Sequence, residues 1–286
     1  MKRKIMTIVA GVAGLLLAYF VVSGISNIIY HHPEENTATQ EETEGAEQGT
    51  EEAKAAMTED EINEMLADMK STETAETETT SEETAVIPVK FEELQAVNPD
   101  VYAWITVPGT EIDYPILQHA SDNSYYLMHN IDGSYGYPGC IYTENLNSKD
   151  FTDNNTVIYG HNMKNGSMFA QLHKFEDPDF FRENREVLIY LPDEVLHYTI
   201  FAAHIYDDRH LLYSFDFADP EVYEKYLQSV FDTRDMSANI DKEMTVTKED
   251  QIITLVTCIG SQPNNRLLVQ AVLTEREPGV EADTAE

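Results

Sequence analysis

The sequence predicts a mostly β fold, an antiparallel sandwich or a closed barrel, carried behind an N-terminal membrane segment and an acidic spacer. Three observations predict it. Short runs rich in Val, Ile, Thr and Tyr follow one another from about residue 101, separated by Asp, Asn, Pro or Gly. Helices rarely come between them, which favours consecutive antiparallel strands over a βαβ sheet. Residues 87–286 also hold nearly all the aromatics, the single Trp and both Cys, so they form one domain with a sizeable core.

Taken in chain order, residues 1–30 read as a transmembrane signal-anchor. Lys2, Arg3 and Lys4 precede "IMTIVAGVAGLLLAYFVVSGISNIIY", an uncharged run long enough at ~1.5 Å per residue to cross a ~30 Å hydrocarbon core. The basic residues keep the N-terminus cytoplasmic and place the rest of the chain outside; a cleaved signal peptide is the rival, with a shorter apolar region of ~7 to 15 residues. Residues 31–86 read as a disordered spacer, with 18 Asp/Glu against two Lys and no aromatic residue. Within it "TEDEINEMLADMK" has capping-box register at Thr58 and Glu61, and Ile62, Met65, Leu66 and Met69 share one helical face. This piece is short for a free helix, hence transient or docked.

The domain opens with a short helix through Phe91 and Leu94, then strands over 101–107 and 112–118 joined by a Pro-Gly turn. Further strands are expected in "GCIYTE", "NNTVIYGHN", "REVLIYLP", "EVLHYTIFAAHIYDD", "KEMTVTKED", "QIITLVTC" and "NRLLVQAVLTE". Two helices interrupt them: "NGSMFAQLHKF", and "DPEVYEKYLQSVFDT" with Asp219 as N-cap, Pro220 at N1, and Val222, Tyr226, Val230 and Phe231 along one face.

The formal charge is −34, of which +3 falls on residues 1–30 and −16 on 31–86, leaving −21 for the domain. Such acidity disfavours nucleic acid and anionic lipid as ligands, because those surfaces attract Lys and Arg. No cluster has zinc-ligand spacing, no EF-hand loop and no phosphate-cradling glycine loop is present, and no metal or cofactor is expected.

The chemistry centres on Cys140 and Cys258. An even pair outside the cell permits a structural disulfide, yet a domain of this size does not need one. Cys140 follows Gly139 in a strand, a buried setting; Cys258 ends a strand and meets a loop of Gly, Ser, Pro and Asn, where reactive groups concentrate. A nucleophilic thiol with an ordinary pKa near ~8.5 needs a base or a cation beside it. Among nine His, His161 alone is delivered through a glycine from a strand to a polar loop, "HNMKNG", so Cys258 and His161 form a candidate dyad. Arg266 begins the next strand, where a permanent guanidinium could donate to a carbonyl oxygen that becomes negative; a surface arginine is the plain alternative.

These stretches resemble the sortase family, the cysteine transpeptidases of Gram-positive surfaces. "TLVTC" with the downstream Arg266 is similar to the family's TLxTC and arginine, "NTVIYGHNMKNGSMFAQL" resembles its histidine segment, and "PGTEIDYPILQHASDNSYYLMHN" extends the likeness. The wording "YGHNMKNGSMF" and the helix inserted before the Cys-bearing strand make it most similar to class B. The resemblance implies an eight-stranded sortase β-barrel with an N-terminal and an inserted helix, Cys258 as nucleophile, His161 as acid/base and Arg266 as oxyanion stabiliser. It also implies substrate-binding positions at Thr257, Asn123 and Tyr159. The partners it implies are surface proteins with a C-terminal sorting signal and an amine acceptor from peptidoglycan precursor or pilin. Cys140 stands where relatives carry a small residue and receives no catalytic role. An L,D-transpeptidase is disfavoured because "LVTCIGSQPNNR" lacks the Gly before Cys, and a non-catalytic module stapled by a Cys140–Cys258 disulfide is the remaining rival.

Overall fold

Side chains along a strand alternate between two faces, and the chain uses this to bury both sides of one closed sheet. A computed structural model describes residues 57–70 and 84–282. The expected membrane segment over 1–30 and the spacer residues 31–56 and 71–83 lie outside them. Among the described residues no helix is long and apolar enough to cross a membrane.

Within the stretch read as spacer, residues 57–70 and 84–86 are ordered parts of the domain. Helix α1 (Glu59–Asp68) has the capping box in full, with Thr58 Oγ1 accepting from Glu61 N and Glu61 Oε2 accepting from Thr58 N. Of the apolar face, Ile62 and Leu66 are buried and Met65 and Met69 pack beside them against a cluster that includes Trp104, Ile131 and Cys140. Burial of this kind stabilises by about 1.5–3 kcal/mol per large side chain, which is what the free segment lacks. Strand β1 (Ala85–Ile87) runs parallel to the C-terminal end of the last strand, and α2 (Phe91–Val97) buries Phe91 and Leu94 as expected.

The remaining elements are β2 (Val101–Val107), β3 (Ile112–Leu117), β4 (Ile141–Thr143), β5 (Asn155–Tyr159), a 3₁₀ segment (Phe169–Glu176), α3 (Pro178–Glu183), β6 (Glu186–Tyr190), β7 (Glu194–Asp207), α4 (Leu211–Ser214), α5 (Pro220–Phe231), β8 (Asn239–Ile240), β9 (Ile252–Ile259) and β10 (Gln262–Glu281). Strands pair in the order β10-β9-β5-β4-β3-β2-β6-β7, and β7 then pairs antiparallel with β10 along Asp207–Glu194 against Asn265–Pro278. The result is a closed eight-stranded barrel, with β1 and β8 added outside the ring.

Four further sequence expectations are corrected. The barrel is mixed, because β3 pairs parallel with β4 and β5 with β9; the long connections over 118–140 and 160–251 carry the chain back to re-enter in the same direction, which a hairpin cannot do. "KEMTVTKED" is not a strand: Asp250 turns it, accepting from Thr247 N at 2.7 Å and Thr247 Oγ1 at 2.9 Å, and the short β8 upstream pairs with β7 instead. On α5 the buried residues are Tyr223, Tyr226, Leu227 and Val230, while Val222 and Phe231 are only partly covered. Aromatic contacts set that rotation, with Phe217 edge-on to both Tyr223 and Tyr226. The expected helix after "YGHN" is 3₁₀, and its Phe169, Leu172 and Phe175 are buried at a spacing of three, the period of that helix.

Ile253, Leu255 and Ile259 of β9 and Leu267, Val269 and Ala271 of β10 fill the barrel, whereas Ile252, Val256, Leu268 and Val272 face outward beneath α4 and α5. That alternation decides which face carries the chemistry.

Candidate active site

The period of two places Cys258 on the outer face with Val256, and Arg266 on the same face with Leu268. Arg266 is the register partner of Cys258 across β9 and β10, and Tyr206 of β7 is the partner of Arg266 on its other side. Directly opposed residues have Cβ atoms about 4.5–5.5 Å apart, so thiol and guanidinium are neighbours by construction. Cys258 is exposed while its strand neighbours Thr257 and Ile259 are buried. Arg266 Nη1 donates to the carbonyls of Pro263 (2.8 Å) and Asn265 (2.9 Å), which folds the guanidinium over its own loop.

The histidine arrives from the other side of β9. Strand β5 runs parallel to β9 up to the pair Tyr159–Val256, and Gly160 N donates to Val256 O at 3.1 Å before the chain turns off at His161. His161 Nε2 lies 2.7 Å from Leu127 O, and the Tyr137 ring stands edge-on at 5.2 Å. A carbonyl only accepts, so Nε2 carries the proton and the neutral ring keeps its lone pair on Nδ1. Gly160 is needed for close packing: a Cβ there would sit 2.5 Å from Ile141 Cδ1 and 2.6 Å from the buried Phe169 ring. Gly160→Ala is therefore expected to cost about 1–3 kcal/mol in thermal unfolding and to lower turnover further by displacing His161.

The loop after His161 is built to hold still. Asn165 accepts from Ser167 N, Met168 N donates to the Tyr114 hydroxyl at 3.0 Å, and Glu59 of α1 accepts from Asn165 Nδ2 and Ser167 Oγ. Asn162 Nδ2 reaches back to Cys258 O at 2.9 Å and to His173 Nε2 at 3.1 Å.

The other three positions implied by resemblance are spread out. Thr257 is turned to the barrel interior and its hydroxyl donates to Gly160 O at 2.9 Å, so it fastens the two strand ends to each other. Tyr159 is on the outer face, its ring stacked on Tyr142 at 5.3 Å, and burial pushes its phenol far above the usual range. Asn123 Oδ1 accepts from Asn145 N at 2.9 Å, joining the loop after β3 to the loop after β4. Sequence reasoning passed over Asn162, Tyr142, His173 and the pair of buried Glu144 with half-buried His210 (2.7 Å). Only Asn162, inside the "HNMKNG" loop, carried a signal in its spacing.

Both cysteines are free, Cys140 buried and Cys258 exposed. This removes the disulfide on which the non-catalytic alternative rested. Cys140 lies beneath α1, its Sγ 3.4 Å from His129 O, and burial drives its thiol pKa far up. It stays protonated and is no nucleophile at neutral pH.

A family model described as a sortase domain matches residues 105–274. Sortase B of Listeria monocytogenes is 36% identical over 191 residues, which cover 65% of this chain and 75% of that protein. Among solved structures, Clostridium perfringens sortase B is similar at 32% identity with a TM-score of 0.59, over 65% of this chain and 100% of that one. Sortase B from B. anthracis is similar at 31% identity and a TM-score of 0.61, over 76% and 97%.

Proposed function

Because this chain belongs to the sortase family of cysteine transpeptidases, with sortase B proteins as its relatives, we propose that Cys258, His161 and Arg266 catalyse cleavage of a C-terminal sorting motif after its Thr and transfer of the acyl group to an amine. The observation that carries this reading is the outward-facing pair Cys258–Arg266 across β9 and β10, with the His161 loop at the end of the adjoining β5. The Cys258 thiol passes its proton to His161, the resulting thiolate attacks the Thr carbonyl, and Arg266 stabilises the oxygen as it becomes negative. His161 then gives a proton to the departing amine as the C–N bond breaks, leaving a thioester on Sγ. An incoming amine attacks that carbonyl, His161 takes its proton, the C–S bond breaks and a new amide forms.

The donor is a surface protein with a sorting signal, and the acceptor an amine of peptidoglycan precursor or of a pilin lysine. Residues 1–30 support a single-pass membrane anchor with the N-terminus cytoplasmic and the domain outside, on the surface of a Gram-positive cell. The test is intact-protein mass spectrometry of the full chain after incubation with peptides bearing different Thr-containing sorting motifs. An acyl adduct on Cys258, released by hydroxylamine, is expected; an adduct on no peptide, or on Cys140, would overturn the reading.

A further inference from the structure

The carbonyl of Cys258 sits where the parallel ladder between β5 and β9 runs out. Gly160 N donates to Val256 O, and one step further along a continuing parallel strand residue 162 would offer its N–H to Cys258 O. The chain has already turned away at His161, and the Asn162 side chain takes over, with Nδ2 at 2.9 Å from that oxygen. The clamp on the candidate nucleophile's main chain is thus the residue next to the candidate base.

A second ring meets the same atoms. His173 Nε2 is 3.1 Å from Asn162 Nδ2 and 3.1 Å from Cys258 O, and His173 Nδ1 is 2.7 Å from Glu176 Oε2. An ionised carboxylate only accepts, so Nδ1 carries a proton and a neutral ring presents a lone pair at Nε2. Asn162 Nδ2 then spends one hydrogen on Cys258 O and the other on His173. The reverse amide orientation would set Oδ1 against two acceptors, so the ring fixes which way Asn162 points. If the ring takes a second proton, Nε2–H donates to Cys258 O directly. With a neutral ring His173 holds the Asn162 amide that clamps the peptide of Cys258, and with a protonated ring it donates to that carbonyl itself; buried Phe169, Leu172 and Phe175 anchor its segment in the barrel core.

We propose that His173, oriented by Glu176, is a positioning residue for the nucleophile: through Asn162 it fixes the main chain of Cys258, and with it the placement of the thiol relative to His161. The inference rests on Cys258 being the nucleophile, as proposed above. His173 itself touches no reacting atom, and both its nitrogens are engaged.

The experiment uses the full chain with His173→Phe, His173→Gln, Asn162→Ala and the double variant His173→Phe/Asn162→Ala. Three quantities are read: kcat and KM for sorting-peptide cleavage, the pH midpoint of Cys258 alkylation by iodoacetamide followed by peptide mass spectrometry, and thermal unfolding. His173→Phe is expected to lower kcat about tenfold with KM within about twofold, as misplacement of a reacting group does. His173→Gln, which retains a polar group, recovers at least about a third of the wild-type kcat. The double variant is no more than about twofold worse than the poorer single one, because both act on one contact. The alkylation midpoint rises by about half a unit, roughly a threefold slower reaction at neutral pH, because a thiol displaced from His161 loses that ring's support for its thiolate. Additive losses, no advantage of Gln over Phe, or an unmoved midpoint with kcat tracking only the folded fraction would overturn the proposal. The alkylation arm needs no peptide: failure of every peptide on the wild-type chain defeats the transpeptidase reading, while the midpoint still decides the positioning role.

Discussion

Cys258→Ala is expected to abolish cleavage and transfer together, a loss of about 10⁴-fold or more in kcat, while thermal unfolding stays close to that of the parent. The size follows from the role proposed for the thiol: with both half-reactions passing through a thioester on Cys258, no residual route uses the remaining groups as a unit. The small effect on folding follows from position, for Cys258 is exposed at the end of β9 and its side chain supports no packing. Cys140→Ser should behave in the opposite way. The new hydroxyl enters a buried site beneath α1, where one carbonyl, His129 O, lies close to the present sulfur, and a cost of about 1–2 kcal/mol in stability is expected with turnover per folded molecule unchanged. The two variants, assayed side by side for peptide cleavage and melting temperature, separate the thiol that reacts from the thiol that packs. Activity in Cys258→Ala with loss of activity in Cys140→Ser would reverse the assignment.

Arg266→Ala carries the second large effect, about 10²- to 10³-fold in kcat, the range found when one donor to a developing oxyanion is removed. The guanidinium is partly exposed and its intramolecular bonds go to the carbonyls of its own loop, so the barrel should retain its stability. Arg266→Lys restores only part of the loss, because an ammonium cannot both fold over Pro263 and Asn265 and present a planar fork to the substrate. A change confined to KM, with kcat intact, would mean that Arg266 binds the ground state and has no part in stabilising the oxyanion.

Much of this site was legible before any coordinates. The alternation in "IITLVTC" and "RLLVQAV" already sets Cys258 and Arg266 at strand ends, and "NTVIYGH" sets His161 at another. What a linear sequence does not carry is strand order. That β5 lies parallel beside β9 depends on how the long segment 160–251 returns, and only this pairing brings Asn162 under the Cys258 carbonyl. His173 gave no signal because a histidine in a short helical run is ordinary; its role arises from where the 3₁₀ segment docks. The docking of α1 was half legible. Its cap and apolar face were readable, but the surface it covers is assembled from Trp104, Ile131 and Cys140, which are distant in the chain.

Closure of the barrel has one more consequence, for the fidelity of strand alignment. Because side chains alternate strictly, a slip of β9 by a single residue would carry Cys258 inside the barrel and turn Thr257 outward. In an open sheet an edge strand can make such a slip, but β9 is gripped by β5 on one side and β10 on the other, and β10 is itself locked to β7 around the ring. A misaligned β9 would have to break both ladders at once, so a ring without free edges also guarantees that each correctly folded copy presents sulfur, and not a threonine hydroxyl, to the outside.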